Sequence, residues 1–134
     1  ENGNIKDLEF NIPSPKTFFL LSKSISNYKI NLDIKSNQIK PNILEVLTTL
    51  SLIPIKDEVE KIKTKIVFST IVELLNKETD KKNIEKIVLI NVPSEIYSDL
   101  RKIFINLFEN SGFNDVKINE NVDFEQLYKM KKSQ

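Results

Sequence analysis

The chain has 134 residues, with 40% hydrophobic and 29% charged side chains, the balance of one ordinary folded domain rather than a disordered chain. It contains neither cysteine nor histidine, which excludes disulfides, thiolate or imidazole metal sites, thiol nucleophiles and the usual general base. Twenty basic against nineteen acidic residues leave a net charge of +1, and that gives no electrostatic drive toward nucleic acid or anionic lipid. All the basic residues but Arg101 are lysines, which disfavours bidentate readout of guanine or phosphate. The richness in lysine, asparagine and isoleucine fits an AT-rich genome.

Residues 1–6 read as a frayed polar lead-in, and the start without a signal peptide or initiator Met reads as that of a processed or excised product. Leu8, Phe10 and Ile12 alternate with polar residues, the pattern of a half-buried strand. Ser14-Pro15 then forms an N-cap and first helical position, and Phe18, Leu21, Ile25 and Tyr28 recur at helical steps, predicting a helix over 15–26. Tyr28, Ile30, Leu32 and Ile34 alternate with Lys29, Asn31, Asp33 and Lys35, so a strand is expected over 28–35.

Pro41 is read as opening a helix through about Ser51, with Ile43, Leu44, Val46, Leu47 and Leu50 near one face, and Pro54 as its breaker. Ile55, Val59, Ile62 and Ile66 step by four, three and four, predicting a second helix over 56–77; Ile66-Val67-Phe68 leaves a break or buried strand open. After a charged connector at 79–82, the apolar run Ile87-Val88-Leu89-Ile90 suits a central strand over 86–92, closed by Pro93. Ser94 caps a helix over 95–111, with Tyr97, Leu100, Phe104, Leu107, Phe108 and Ser111 inward and Gly112 as a left-handed C-cap. Val116 and Ile118 mark a strand at 115–119, which makes 86–119 a βαβ-like unit. Asp123 and Gln126 form a capping pair for a last helix, with 129–134 as a basic tail. The expected architecture is a single α/β domain over 1–134, with mixed α+β as the alternative: a sheet of about four strands with flanking helices.

Chemistry is hard to find in this chain. With only Gly3 and Gly112 there is no phosphate-cradling loop. Asp57, Glu58 and Glu60 read as acids complementing a helix start, and the oxygen-rich stretch Asn119, Glu120, Asn121, Asp123 lacks the glycine and distal glutamate of a calcium loop. The groups Lys61, Lys63, Lys65 and Lys81, Lys82, Lys86 are interspersed with acids and lack interleaved aromatics, the pattern of solvated helix faces. No catalytic residue, cofactor or metal is assigned. No run reaches a membrane span, and a cytoplasmic location is favoured. The positive feature is an excess of apolar groups on two helices. Phe18, Phe19 and Leu20, and Ile103 and Ile105, exceed what one buried stripe accommodates, and they are the candidate partner-binding residues. The expected function is a non-enzymatic protein–protein interaction or self-assembly domain; the alternatives are a lysine-based accessory nucleic-acid-binding domain and an enzyme or ligand pocket built on carboxylates alone.

Val92-Pro93, Arg101, Gly112, Asn119-Glu120 and Tyr128 stand in the order and near the spacing of a segment of the actin/Hsp70-like ATPase superfamily, which residues 84–131 resemble. The superfamily's glycine-rich phosphate loops have no counterpart. The resemblance implies a fragment or degenerate relative without ATPase activity, with Glu120 alone near a nucleotide-site position.

Overall fold

The computed structural model describes residues 2–11, 28–54, 63–74, 80–112, 118 and 120–132. Four strands, β1 (Asn2–Asn11), β2 (Tyr28–Lys40), β3 (Ile43–Pro54) and β4 (Lys63–Glu73), form one antiparallel sheet in the order β1-β4-β3-β2. Helix α1 (Lys81–Lys86), a π-helical turn (Ile87–Asn91) and α2 (Val92–Asn110) follow without a break, and α3 (Phe124–Lys132) comes last. The expected sheet of about four strands with flanking helices is present in its α+β form.

Register explains which residues turn inward. Thr48 pairs with Phe68, Leu50 with Ile66 and Leu44 with Val72 between β3 and β4, so their even-numbered residues share one face. Leu32 opposite Leu50 and Leu8 opposite Ile66 extend that face onto β2 and β1. Helix α2 lays its buried stripe, Tyr97, Leu100, Phe104 and Phe108, upon it. One cluster joins Leu50, Leu52 and Ile66 to this stripe and to Ile118 and Phe124; a second joins Leu44, Val46 and Val72 to Val88 and Val92. The continuous helix therefore runs along β3 from its Leu44 end toward its Leu52 end. Phe10 of β1 meets Phe108 edge-on at 5.2 Å between centroids, and Tyr97 meets Phe124 at 5.8 Å.

Several expectations are corrected. The segment read as a helix over 41–51 is β3. Its apolar residues fit a 3.6-residue period only because the outward face also carries Ile43 and Leu47; period two places Leu44, Val46, Thr48, Leu50 and Leu52 inward, all buried. The 63–73 part of the helix expected over 56–77 is β4, with Thr64, Ile66, Thr70 and Val72 buried. The strand expected over 86–92 is helical, so 86–119 holds no βαβ-like unit. A short apolar run suits a buried strand and a buried helix equally, and Pro93 is accommodated at the start of α2. Of residues 1–6, read as a lead-in, Asn2 to Ile5 pair with β4. The strands expected near Leu8–Phe10 and over 28–35 are present and longer than expected. So are the helix at 95–111, the Gly112 turn with φ 97° and the capping of α3, where the Gln126 N–H donates to Asp123 Oδ1 at 3.0 Å. The helix expected over 15–26 and most of the strand at 115–119 lie outside the described residues.

The sheet holds two polar features. The bulge between Ile5 and Asp7 leaves Lys6 as the extra residue of β1. Its Nζ reaches across β4 to Glu45 of β3, 3.1 Å from Oε2, and Ser69 Oγ donates to the same oxygen at 2.7 Å. The hydrogen bond from Ser69, then that from Lys6, hold the Glu45 carboxyl below its ordinary value of 4.5. On the inward face Thr48, Thr64 and Thr70 bury hydroxyls without a hydrogen-bond partner among the described residues. Because an unpaired buried hydroxyl opposes folding, Thr48→Val should raise stability by about 1 kcal/mol, whereas Leu50→Ala should lower it by about 3 kcal/mol, both read from urea midpoints. A depressed carboxylate stabilises the fold above its unfolded-state value and loses that effect as pH falls through its folded-state value. Glu45→Gln should therefore lower the melting temperature at neutral pH, and the deficit should vanish below the ordinary carboxylate range.

Candidate functional site

Among the described residues, the helix side carries two open recesses walled by α3. Asp123 caps this helix, and Phe124 anchors it on Tyr97. The Arg101 Nε–H, donating to the Ile118 carbonyl at 3.0 Å, ties the connection between α2 and α3 to the long helix. So held, α3 turns Leu127 and Met130 outward; they are 49% and 54% exposed, among the most exposed large apolar side chains described.

The first recess, about 200 Å³, lies between β2 and the helices, lined by Leu32, Ile34, Leu89, Phe124, Leu127 and Tyr128, with Asp33 at its rim. Strand β2 is at the sheet's edge and, among the described residues, pairs only with β3. An unpaired strand edge beside an apolar groove is the geometry that accepts an extended polypeptide: backbone hydrogen bonds on the strand, alternate side chains in the groove. The second recess lies on the other side of α3, against α1 and the π turn.

The candidate partner-binding residues of the sequence stand as follows. Phe18, Phe19 and Leu20 lie outside the described residues. Ile103 and Ile105 are half-buried on α2, packed against the larger core cluster on the flanks of the inward stripe. The groove residues Leu32, Ile34, Leu89 and Leu127 were not singled out from the sequence. Leu32 and Ile34 stood in a recognised alternation, but that Leu127 faces them across a groove depends on how α3 docks. Among the described residues no three acidic side chains gather as a metal site, and no helix is long and apolar enough to cross a membrane.

Comparison with known proteins gives the family. A family model described as preprotein translocase subunit SecB matches residues 2–134. A putative protein-export protein SecB of Pelagibacter ubique is 39% identical over 130 residues, covering 96% of this chain and 93% of that protein. The protein-export protein SecB 1 of Gluconobacter oxydans is 24% identical, covering 96% and 79%. Among solved structures, the SecB-like chaperone of Mycobacterium tuberculosis, in complex with a ChAD peptide from an antitoxin, aligns with a TM-score of 0.51 at 11% identity, over 87% of this chain and 89% of that one.

The resemblance of residues 84–131 to the actin/Hsp70-like superfamily is thereby overturned. The stretch it takes as a buried strand is the π turn and its flanks, and the SecB match spans the whole segment. Pro93 lies within a continuous helix and Gly112 closes it with a left-handed turn, features of helix geometry that need no common ancestry. A protein-binding, non-enzymatic role agrees with the family match, and this chain belongs to the SecB family of preprotein translocase chaperones.

Proposed function

We propose that this protein is an export chaperone of the SecB kind, which holds preproteins unfolded in the cytoplasm and delivers them to SecA. The observation that supports this reading is the groove between β2 and α3, where a strand edge unpaired among the described residues runs beside Leu32, Ile34, Leu89 and Leu127. An unfolded preprotein offers what such a groove takes: an extended backbone and apolar side chains not yet in a core. A folded protein offers neither, so the same geometry discriminates by folding state rather than by sequence. The shallow groove gives modest affinity per segment, and tight holding then requires several segments bound at once.

Repeated grooves follow from self-association. Ile5 and Leu8 of edge strand β1 face the helix side and are each 42% exposed, while Ile103 and Ile105 flank the buried stripe of α2. A second copy covering these residues would remove an apolar edge from water and place two grooves on one particle.

Two measurements test these readings. Leu127→Asp, at an exposed position, should leave the fold intact and weaken binding of a permanently unfolded polypeptide about ten-fold in titration calorimetry; unchanged binding would place the substrate elsewhere. Light scattering behind size exclusion, at two protein concentrations and two salt levels, should show a dimer or larger species that survives high salt, because apolar burial is not screened. A monomer at both concentrations would discard the self-association.

A further inference from the structure

The second recess, about 610 Å³, has a different character from the β2 groove, with which it shares only Tyr128. One wall is Lys86, Ile87 and Ile90, at the junction of α1 and the π turn; the other is Glu125, Tyr128 and Lys129 of α3. Lys82 stands one helical turn before Lys86 on the same side of α1 and is exposed. Lysines more than forty residues apart in sequence thus converge on one recess whose floor is aliphatic. The acid on its rim, Glu125, pairs with Lys129 at 3.8 Å, and both side chains are about two-thirds exposed or more, so the pair is weak and readily exchanged for another carboxylate.

The π turn builds this floor. The Val92 N–H donates to the Ile87 carbonyl, five residues back, so the turn holds one residue more than an α-helical one. Ile87 and Ile90 both line the recess, while Val88 stays in the core.

We propose that this recess is a second docking site, separate from the β2 groove, for an acidic amphipathic peptide segment. One or two apolar side chains of the segment sit on Ile87 and Ile90, and flanking carboxylates meet Lys86 and Lys129. Charge complementarity selects a peptide of this kind over a basic or neutral apolar one. Nucleic acid is the poorer fit: the floor is aliphatic with a single aromatic, whereas single strands are held by stacked aromatics within a larger cationic track.

Fluorescence anisotropy on the full chain at low salt tests the proposal. The probes are a labelled peptide of alternating leucine and glutamate, its leucine–lysine counterpart, polyglutamate of equal length and an oligothymidylate of equal charge. The leucine–glutamate peptide should bind best. The double variant K86E/K129E, changed only at exposed positions, should weaken it about ten-fold, while K65E on the opposite face of the sheet should leave it unchanged. Equal binding of polyglutamate or of the oligothymidylate would show charge attraction without the apolar floor and overturn the proposal. So would failure of the leucine–glutamate peptide to bind, binding indifferent to K86E/K129E, or an equally strong leucine–lysine peptide.

Discussion

The contact on which the rest of the molecule depends is that of the α2 stripe with the inward faces of β3 and β4. Leu100, Phe104 and Phe108 are completely buried against Leu50 and Ile66, which are completely buried as well. A four-stranded sheet has two faces, and one helix stripe of this width covers the central strands of one of them. Everything laid out around that contact follows from it. The edge strands keep exposed apolar residues such as Ile5 and Leu8, and α3 can settle only against the flank of the long helix, through Phe124 and Tyr97. The grooves on either side of α3 exist because α3 does not itself reach the sheet centre.

The π turn carries the core contact of the continuous helix to the Leu44 end of the sheet through Val88. Val88 lies one turn before Val92 on the same side of the helix, and both are buried against Leu44, Val46 and Val72. At the π turn the helix takes up one extra residue, the Val92 N–H donating to the Ile87 carbonyl. Pro93, which has no N–H and crowds the preceding turn, supplies the local reason for the widening. The same wide turn exposes Ile87 and Ile90 to the recess beside α3, so a packing requirement of the core shapes a surface site.

On the other face of the sheet, the described residues are held by a charged contact. Glu45 is held by Ser69 and by the bulged Lys6, a link that spans three strands and fixes the irregular point of β1. Beside it Ile43, Leu47, Val67 and Ile71 are half-buried, sheltered by their cross-strand neighbours.

The strands at β1 and β2, helix α2 with its inward residues, the glycine cap and the start of α3 were legible from local pattern, because each has a single period or a single capping signal. So was the lack of catalytic chemistry, which is a matter of composition. What the sequence could not decide was the state of segments whose apolar residues satisfy two periods at once. Ile43–Pro54 carries apolar groups on both faces, and only pairing with β2 on one side and β4 on the other makes it a strand. Ile87–Ile90 has no polar face to set its period, and it becomes helical because it continues into α2 over the Leu44 end of the sheet. The grooves belong to the same class. Their walls come from residues far apart in the chain, and no local pattern records that the apolar alternation of β2 and an outward leucine on α3 will face each other. Tertiary docking alone brings Leu32, Ile34 and Leu127 together, because long-range packing, not local propensity, sets where α3 lies.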